Sequence, residues 1–153
     1  KGEIMVVPPA DLDKSGWEMG EWTTEPDVVS WIDEATGLNC QITRHPEFGH
    51  LCGYVGVTDD HPWFGESYHE HHDVDVHGDL TFSEYIPELS SNIWWFGFDG
   101  GHGSKHFDKS PGLFRIEFTA FGFSRHGTYR NLEFMKEQVK KLALQIKGDY
   151  GRK

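Results

Sequence analysis

Apolar and polar side chains alternate through "LFRIEFTAFGF" (residues 113–123): Phe114, Ile116, Phe118 and Ala120 fall on one side, Arg115, Glu117 and Thr119 on the other. Successive strand residues point to opposite faces, so a period of two predicts a half-buried strand. A different period governs "TYRNLEFMKEQVKKLALQIKG", where Leu132, Met135, Val139, Leu142 and Ile146 recur three and four residues apart. That is the pattern of an amphipathic helix. Thr128 is expected at its N-cap and Gly148 just past its end. Lys140, Lys141 and Lys147 lie toward its C-terminus, where the helix dipole favours cations.

Shorter runs fill in the rest. "VVSWID" and "LNCQITR" read as a hairpin over residues 28–44, with "EATG" supplying a turn that ends in Gly37. "HLCGYVGV" (residues 50–57) is a third strand, its glycines Gly53 and Gly56 marking a bulge or a close neighbour. "DDHPWFGESYHEHH" reads as a loop, and "DVDVHGDLTF" (residues 73–82) as a strand. "NIWWFGFD" (residues 92–99) is apolar without alternation and predicts a central strand covered on both faces. A glycine-rich loop, "GGHGSKHFDKSPG", follows it. Residues 1–24 read as an irregular arm with one short strand at residues 4–7. The expected fold is a single α+β domain over residues 1–153, a mainly antiparallel sheet of about five to seven strands with one long C-terminal helix packed on it.

Composition agrees with a folded chain. Of 153 residues, 14% are aromatic, with six Trp and eleven Phe, whereas disordered chains are poor in aromatics. The net charge is −11 and uneven: residues 1–104 carry three Lys/Arg against twenty Asp/Glu, residues 105–153 eleven against five. This acidic bulk argues against duplex DNA as a partner, which needs a dense basic footprint. No apolar run approaches the roughly 20 residues that span a bilayer, so no membrane partner is expected. Two cysteines, Cys40 and Cys52, match no disulfide scaffold or zinc motif and suit a reducing cytoplasm. No targeting segment is expected.

The densest chemistry is "YHEHHDVDVHGDLTFSEY" (residues 68–85). On a strand over residues 73–82, Asp73, Asp75, His77 and Asp79 would share one face, with i and i+2 about 7 Å apart. Asp75 and His77 could then begin a divalent-metal site completed by His102, Asp99 or His106. The same pattern is also the wet side of an antiparallel sheet, and most of these groups are expected to be solvated. The tract His69–His72 sits in the loop, where clustered histidines bind transition metals adventitiously.

A second candidate is the end of the buried strand, Asp99, with His102 in the glycine-rich loop whose N–H groups could face an anion. Aromatics form a third. Trp94 and Trp95 are expected in the core, leaving Trp63 and Tyr54 to stack a base. Arg115, Arg125 and Arg130 are phosphate candidates, with Arg130 expected in the first helical turn beside free N–H groups. Cys52 is a nucleophile candidate or an inert small hydrophobe. No P-loop, GxGxxG, HExxH, nucleophile elbow or paired CxxC occurs.

Taken together, "GHLCGYVGVTDDHPWFG", "VDVHGDLTFS", "NIWWFGFDGGHGS" and the helix "YRNLEFMKEQVKKLALQI" resemble a widespread group of small uncharacterised proteins encoded by tailed bacteriophages. The resemblance runs from about His50 to Ile146. It implies a phage protein acting in the host bacterial cytoplasm and dispensable for the virion. His77, Asp99 and His102 match the group, with Cys52 and Thr81 as lesser members. The group's Cys after "GFD" and its Asp after the second His are replaced by Gly100 and Lys105. Small phage proteins of this kind counter bacterial defences, one route being to sequester or destroy a nucleotide immune signal.

Three functions are weighed on this basis. One is a cofactor-free protein that sequesters a nucleotide-like signal through His77, Thr81, Asp99, His102, Trp63, Tyr54, Cys52 and Arg130, in a pocket within one chain or shared across a homodimer. Another is a nucleotide or phosphodiester hydrolase, with His77 or His102 as acid or base, Asp99 orienting it, or a metal on Asp75, His77 and His102 activating water. The third is an acidic inhibitor that binds a basic host protein.

Overall fold

The computed structural model describes residues 21–45, 49–87, 89–100 and 130–148. Five strands, β1 (Val28–Ile32), β2 (Asn39–Arg44), β3 (Leu51–Val57), β4 (Phe82–Ile86) and β5 (Ser90–Asp99), precede one helix, α1 (Leu132–Gly148). The strands form an antiparallel sheet in the order β1-β2-β3-β5-β4, with α1 packed on β2 and β3. This is the α+β architecture the patterns predict, and β5 lies between β3 and β4 with Phe96 and Phe98 buried on one face and Trp95 on the other, as its unbroken apolar run requires. The strands expected at residues 4–7 and 113–123, the glycine-rich loop from Gly101 and the Thr128 cap lie outside the described residues. No helix among the described residues is long and apolar enough to cross a membrane.

The β1–β2 turn forms where "EATG" places it. Asp33 closes it: its carboxylate accepts from the Thr36 N–H at 3.1 Å and hydroxyl at 2.7 Å, and its carbonyl accepts from Gly37 at 2.6 Å. Gly37 has φ +76°, a left-handed conformation that costs a glycine nothing sterically. Helix α1 starts later than expected. Asn131 is its cap, the Oδ1 accepting from the Phe134 N–H at 2.9 Å, so Arg130 precedes the helix instead of lying in its first turn. Gly148 is the last helical residue and not the first beyond it. The end of the presumed irregular arm is ordered as a single 3-10 turn, Glu21–Thr23, with Trp22 buried.

One face of the sheet carries Ile42, Leu51, Val55, Val57, Phe96 and Phe98, against which α1 buries Met135, Val139, Leu142, Ala143 and Ile146. Gly53 of β3 lies beneath the helix. A Cβ there would come within 2.7 Å of both Val139 and the Phe98 ring, so the helix can sit this close only over a glycine. The opposite face holds a smaller cluster of Cys52, Tyr54, Phe82, Ile86 and Trp95.

The connection from β3 to β4 also packs into the main core. Val74, Val76 and Leu80 are buried within it, while Asp73, Asp75 and Asp79 are exposed. The alternation read at residues 73–82 is therefore real, but only Phe82 belongs to a strand. Positive φ at Gly78 (+70°) and Asp79 (+63°) ends the extended run. Its backbone pairs with helix side chains: Gln138 Oε1 accepts from the His77 N–H and Gln145 bonds Asp75, each at 2.9 Å. His61 anchors the other end of the connection. Its Nε2–H donates to the Ile146 carbonyl at 2.8 Å, and its Nδ1 accepts from the Trp63 N–H at 2.9 Å. A carbonyl can only accept, so these two bonds fix the tautomer.

Candidate functional site

Several of the expected site residues gather at one end of the sheet. Asp99, buried at the end of β5, stands opposite Cys52 in the β3 register. The next residue, Gly100, donates to the Leu51 carbonyl at 2.8 Å, and a Cβ there would lie 3.4 Å from the Arg130 Cβ. The Arg130 guanidinium covers the Phe134 ring at 4.7 Å, and His77 meets the same ring edge-on at 5.3 Å. Phe134 thus links Arg130 to His77, a cation–π contact on one hand and an aromatic contact on the other.

The charges at this end hold the fold together. Arg44 is 0% exposed. Its Nε donates to Asp27 at 2.6 Å, its Nη1 to the Gly49 carbonyl at 2.9 Å, and Glu25 lies 3.4 Å from its Nη2. The second oxygen of Glu25 accepts from the Leu132 N–H at 2.9 Å, and Glu21 accepts from the Asn131 amide at 3.0 Å. The positive end of α1 therefore faces two of the chain's own carboxylates. An incoming phosphate would meet Glu25 where free N–H groups were expected.

Other expected contacts are placed differently. Trp63 is 6% exposed, with His71 stacked on it at 3.7 Å and Phe96 and His61 against its edges. It has no open face for a base, because the core already uses it. Tyr54 is buried edge-on against Phe82. Thr81 contributes its backbone, donating to the Gly97 carbonyl at 2.9 Å. Asp75 points outward to Lys141, with 3.0 Å between the charged atoms. The four-residue His tract disperses: His71 reaches Glu66 at 2.8 Å and His69 leans on Tyr68. Among the described residues no three His, Cys, Asp or Glu side chains gather closely enough to hold a metal ion. His102, His106, Arg115 and Arg125 lie outside the described residues.

A different site appears on the sheet face opposite α1. There a cavity of about 320 Å³ is bounded by Ser30, Asn39, Gln41, Leu89, Ile93 and Trp95, among others. Its floor comes from the register: Asn39 pairs with Gly56, and Gly56 with Trp95. A Cβ on Gly56 would lie 2.3 Å from the Ile93 side chain and 3.0 Å from the Trp95 ring. Both side chains therefore lean into the space that the glycine leaves open. Gly97 does the same for Tyr54 one row away, a Cβ there meeting that ring at 2.4 Å.

Ser30, Asn39 and Gln41 give the cavity its polar side. The Ser30 hydroxyl donates to Gln41 Oε1. Gln41 Nε2 and Trp95 Nε1, on residues each 3% exposed, are sealed from solvent and have no hydrogen-bond partner among the described residues. A buried N–H left unmade costs about 1–3 kcal/mol. None of the described lining residues carries a charge. A larger recess of about 670 Å³ lies between the β1–β2 turn and α1, edged by Glu34, Lys140 and Leu144. It has no comparable unpaired group among the described residues, and its Asp33 is committed to the turn.

Sequence reading passed over Gln41 because β2 reads as a simple strand. The usable signal was Gln41 between Cys40 and Ile42: on a strand buried on both faces, the residue opposite two core side chains is buried as well. No family model, no curated protein and no solved structure matches the chain.

Proposed function

We propose that this protein captures a small nucleotide-like molecule and holds it without transforming it. The observation that carries the reading is the cavity opposite α1, with Leu89, Ile93 and Trp95 as apolar walls and Ser30, Asn39 and Gln41 as polar ones. Binding sites combine apolar walls with a few polar groups that fix orientation, and this cavity has both. Support also comes from how the would-be catalytic groups are placed. Cys52 and Asp99 are buried, and Trp63, His61 and His71 are engaged with one another. Capture needs neither an acid–base pair nor a cofactor.

The setting follows from the phage resemblance and is part of the same proposal. A phage-encoded protein of this kind would work in the host bacterial cytoplasm, and the captured molecule would be a nucleotide immune signal. The test is incubation of the pure protein with a pooled panel of cyclic and linear nucleotides, chromatographed before and after heat denaturation. A species that disappears and returns intact on heating supports capture. One that returns changed makes the protein an enzyme, and a panel left wholly free removes the small-ligand reading.

A further inference from the structure

We infer that β1 is the pairing edge of a symmetric dimer, in which a second copy of this chain lays its own β1 antiparallel alongside and the two sheets become one. The inference does not rest on the capture reading above. β1 ends the sheet, so one of its sides is a strand edge, and the hydrogen bonds show which groups that edge presents. The Asp27 carbonyl accepts from the Arg44 N–H at 2.8 Å, and the Asp33 N–H donates to the Leu38 carbonyl at 2.9 Å. Backbone groups alternate in direction along an antiparallel strand. Residues 27, 29, 31 and 33 therefore bond β2, and the N–H and C=O groups of Val28, Ser30 and Ile32 point outward. All three residues are exposed, and among the described residues no strand lies beside them.

Proteins that keep an edge from pairing place charge or proline on it. β1, with the sequence VVSWI, has neither. Its pattern also sets a register. With Ser30 opposite the partner's Ser30, Val28 faces the partner's Ile32, and all three outward residues are bonded in both copies. A shift one way would need an N–H from Pro26, which has none. A shift the other way would run into the turn at Glu34. In the central register Val28, 37% exposed, covers the partner's Ile32, 58% exposed, while Val29 meets the partner's Trp31 on the α1 side. Trp31 edges the recess where Leu144 is also 58% exposed. Three of the four large apolar side chains exposed among the described residues thus gather along this edge.

Charge favours a second copy as the occupant. The chain carries −11, so two copies can meet closely only where carboxylates are not opposed. Across this axis Asp27 is turned in to Arg44 and Asp33 to Thr36, and Glu34 comes opposite the partner's Pro26. Ser30 also borders the cavity on the face away from α1. The cavities of the two copies therefore come side by side at the axis, with the partner's Val28 next to Ile32 at the rim.

The experiment is sedimentation equilibrium of the unmodified chain across micromolar concentrations. The mass should rise from 17.5 kDa to twice that. Ile32→Lys, at a position already exposed, should weaken association about tenfold or more. Ser30→Pro removes an N–H that β2 does not use and should weaken it as much. Cross-linking reads the register. Opposed Cβ atoms are about 5 Å apart, and the native Cys40 and Cys52 are buried. Dibromobimane should bridge Ser30→Cys to its own copy, and should bridge Ile32→Cys only when Val28→Cys is mixed in. A mass that stays at 17.5 kDa throughout overturns the dimer. So does association that both Ile32→Lys and Ser30→Pro leave intact, or a dimer in which Ser30→Cys is not bridged. None of these results touches nucleotide capture, which the pooled panel tests separately.

Discussion

Gln145 of α1 treats Asp75 as a neighbouring strand would: its Oε1 accepts from the Asp75 N–H and its Nε2 donates to the Asp75 carbonyl, both at 2.9 Å. A primary amide has the same donor and acceptor as a peptide group. One turn-pair earlier on the helix, Gln138 accepts from His77. The connection between β3 and β4 is thus paired to a helix by side chains that stand in for a sheet ladder.

Replacing Gln145 by Ala should lower unfolding free energy by about 1 kcal/mol, since the site is solvent-exposed, and adding Gln138→Ala by about as much again. Denaturant midpoints measure the loss. Hydrogen exchange at the Asp75 and His77 amides should accelerate first, before any change in the sheet. Unchanged exchange there would show that these glutamines do not hold the segment.

Glycine substitutions should separate crowding from backbone strain. Gly97→Ala puts a Cβ 2.4 Å from the Tyr54 ring, and Gly53→Ala puts one 2.7 Å from Val139 and Phe98. Each should cost about 1–3 kcal/mol as overpacking. Gly37→Ala meets no atom within 4 Å but has φ +76°, so its cost of about 1–2 kcal/mol is conformational. Restoring volume with Tyr54→Leu should recover part of the Gly97→Ala loss and none of the Gly37→Ala loss.

The buried Arg44 should be the most sensitive charged position. Asp27→Ala leaves a guanidinium that is 0% exposed with a weaker partner in Glu25, and breaking such a pair costs about 3–5 kcal/mol. Glu25→Ala removes both an ion pair and the carboxylate on the Leu132 N–H, so it should also fray the start of α1. Thermal melts and amide exchange at residues 132–135 distinguish the two variants.

Cys40 gives a pH dependence of defined sign. Burial, with the Asp33 charge adding to it, pushes its thiol from the ordinary 9.0 up to about 12. Above pH 9 the unfolded chain loses this proton while the folded chain keeps it. Stability from this group is therefore complete below about pH 9 and declines as pH rises toward 12. Cys40→Ala should flatten that alkaline decline. In the native protein the thiol should resist alkylation at pH 8, because only the thiolate is nucleophilic.

The sequence showed most clearly what depends on local period. The hairpin about Gly37, the unbroken β5 run and the face of α1 were all legible, because burial there follows the repeat of the element itself. Residues 73–82 misled for a physical reason. Val74, Val76 and Leu80 alternate as a strand does, but alternation reports which side chains are buried and not what the backbone bonds to. Trp63 was read as open because it lies in a loop with Pro62 and Gly65, and a loop that crosses a core can bury its aromatics as fully as a strand. The cavity was invisible because Ser30, Gln41 and Trp95 come from three strands, and only the register β1-β2-β3-β5 aligns them.

The bond from His61 to Ile146 joins positions 85 residues apart. On a ribosome adding about 5–20 residues each second, the segment carrying His61, Trp63, Val74 and Val76 is made well before the helix that covers it. Strands β1 to β3 can pair as they emerge, because each turn between them is short. The histidine-rich connection can lean on β4 and β5 first, through Trp63 on Phe96 and the Tyr68 N–H on Ser83, but Val74 and Val76 are covered fully only once α1 is made. The same contact that makes this connection part of the finished core therefore ties its closure to the arrival of α1, the last of the described elements to be made.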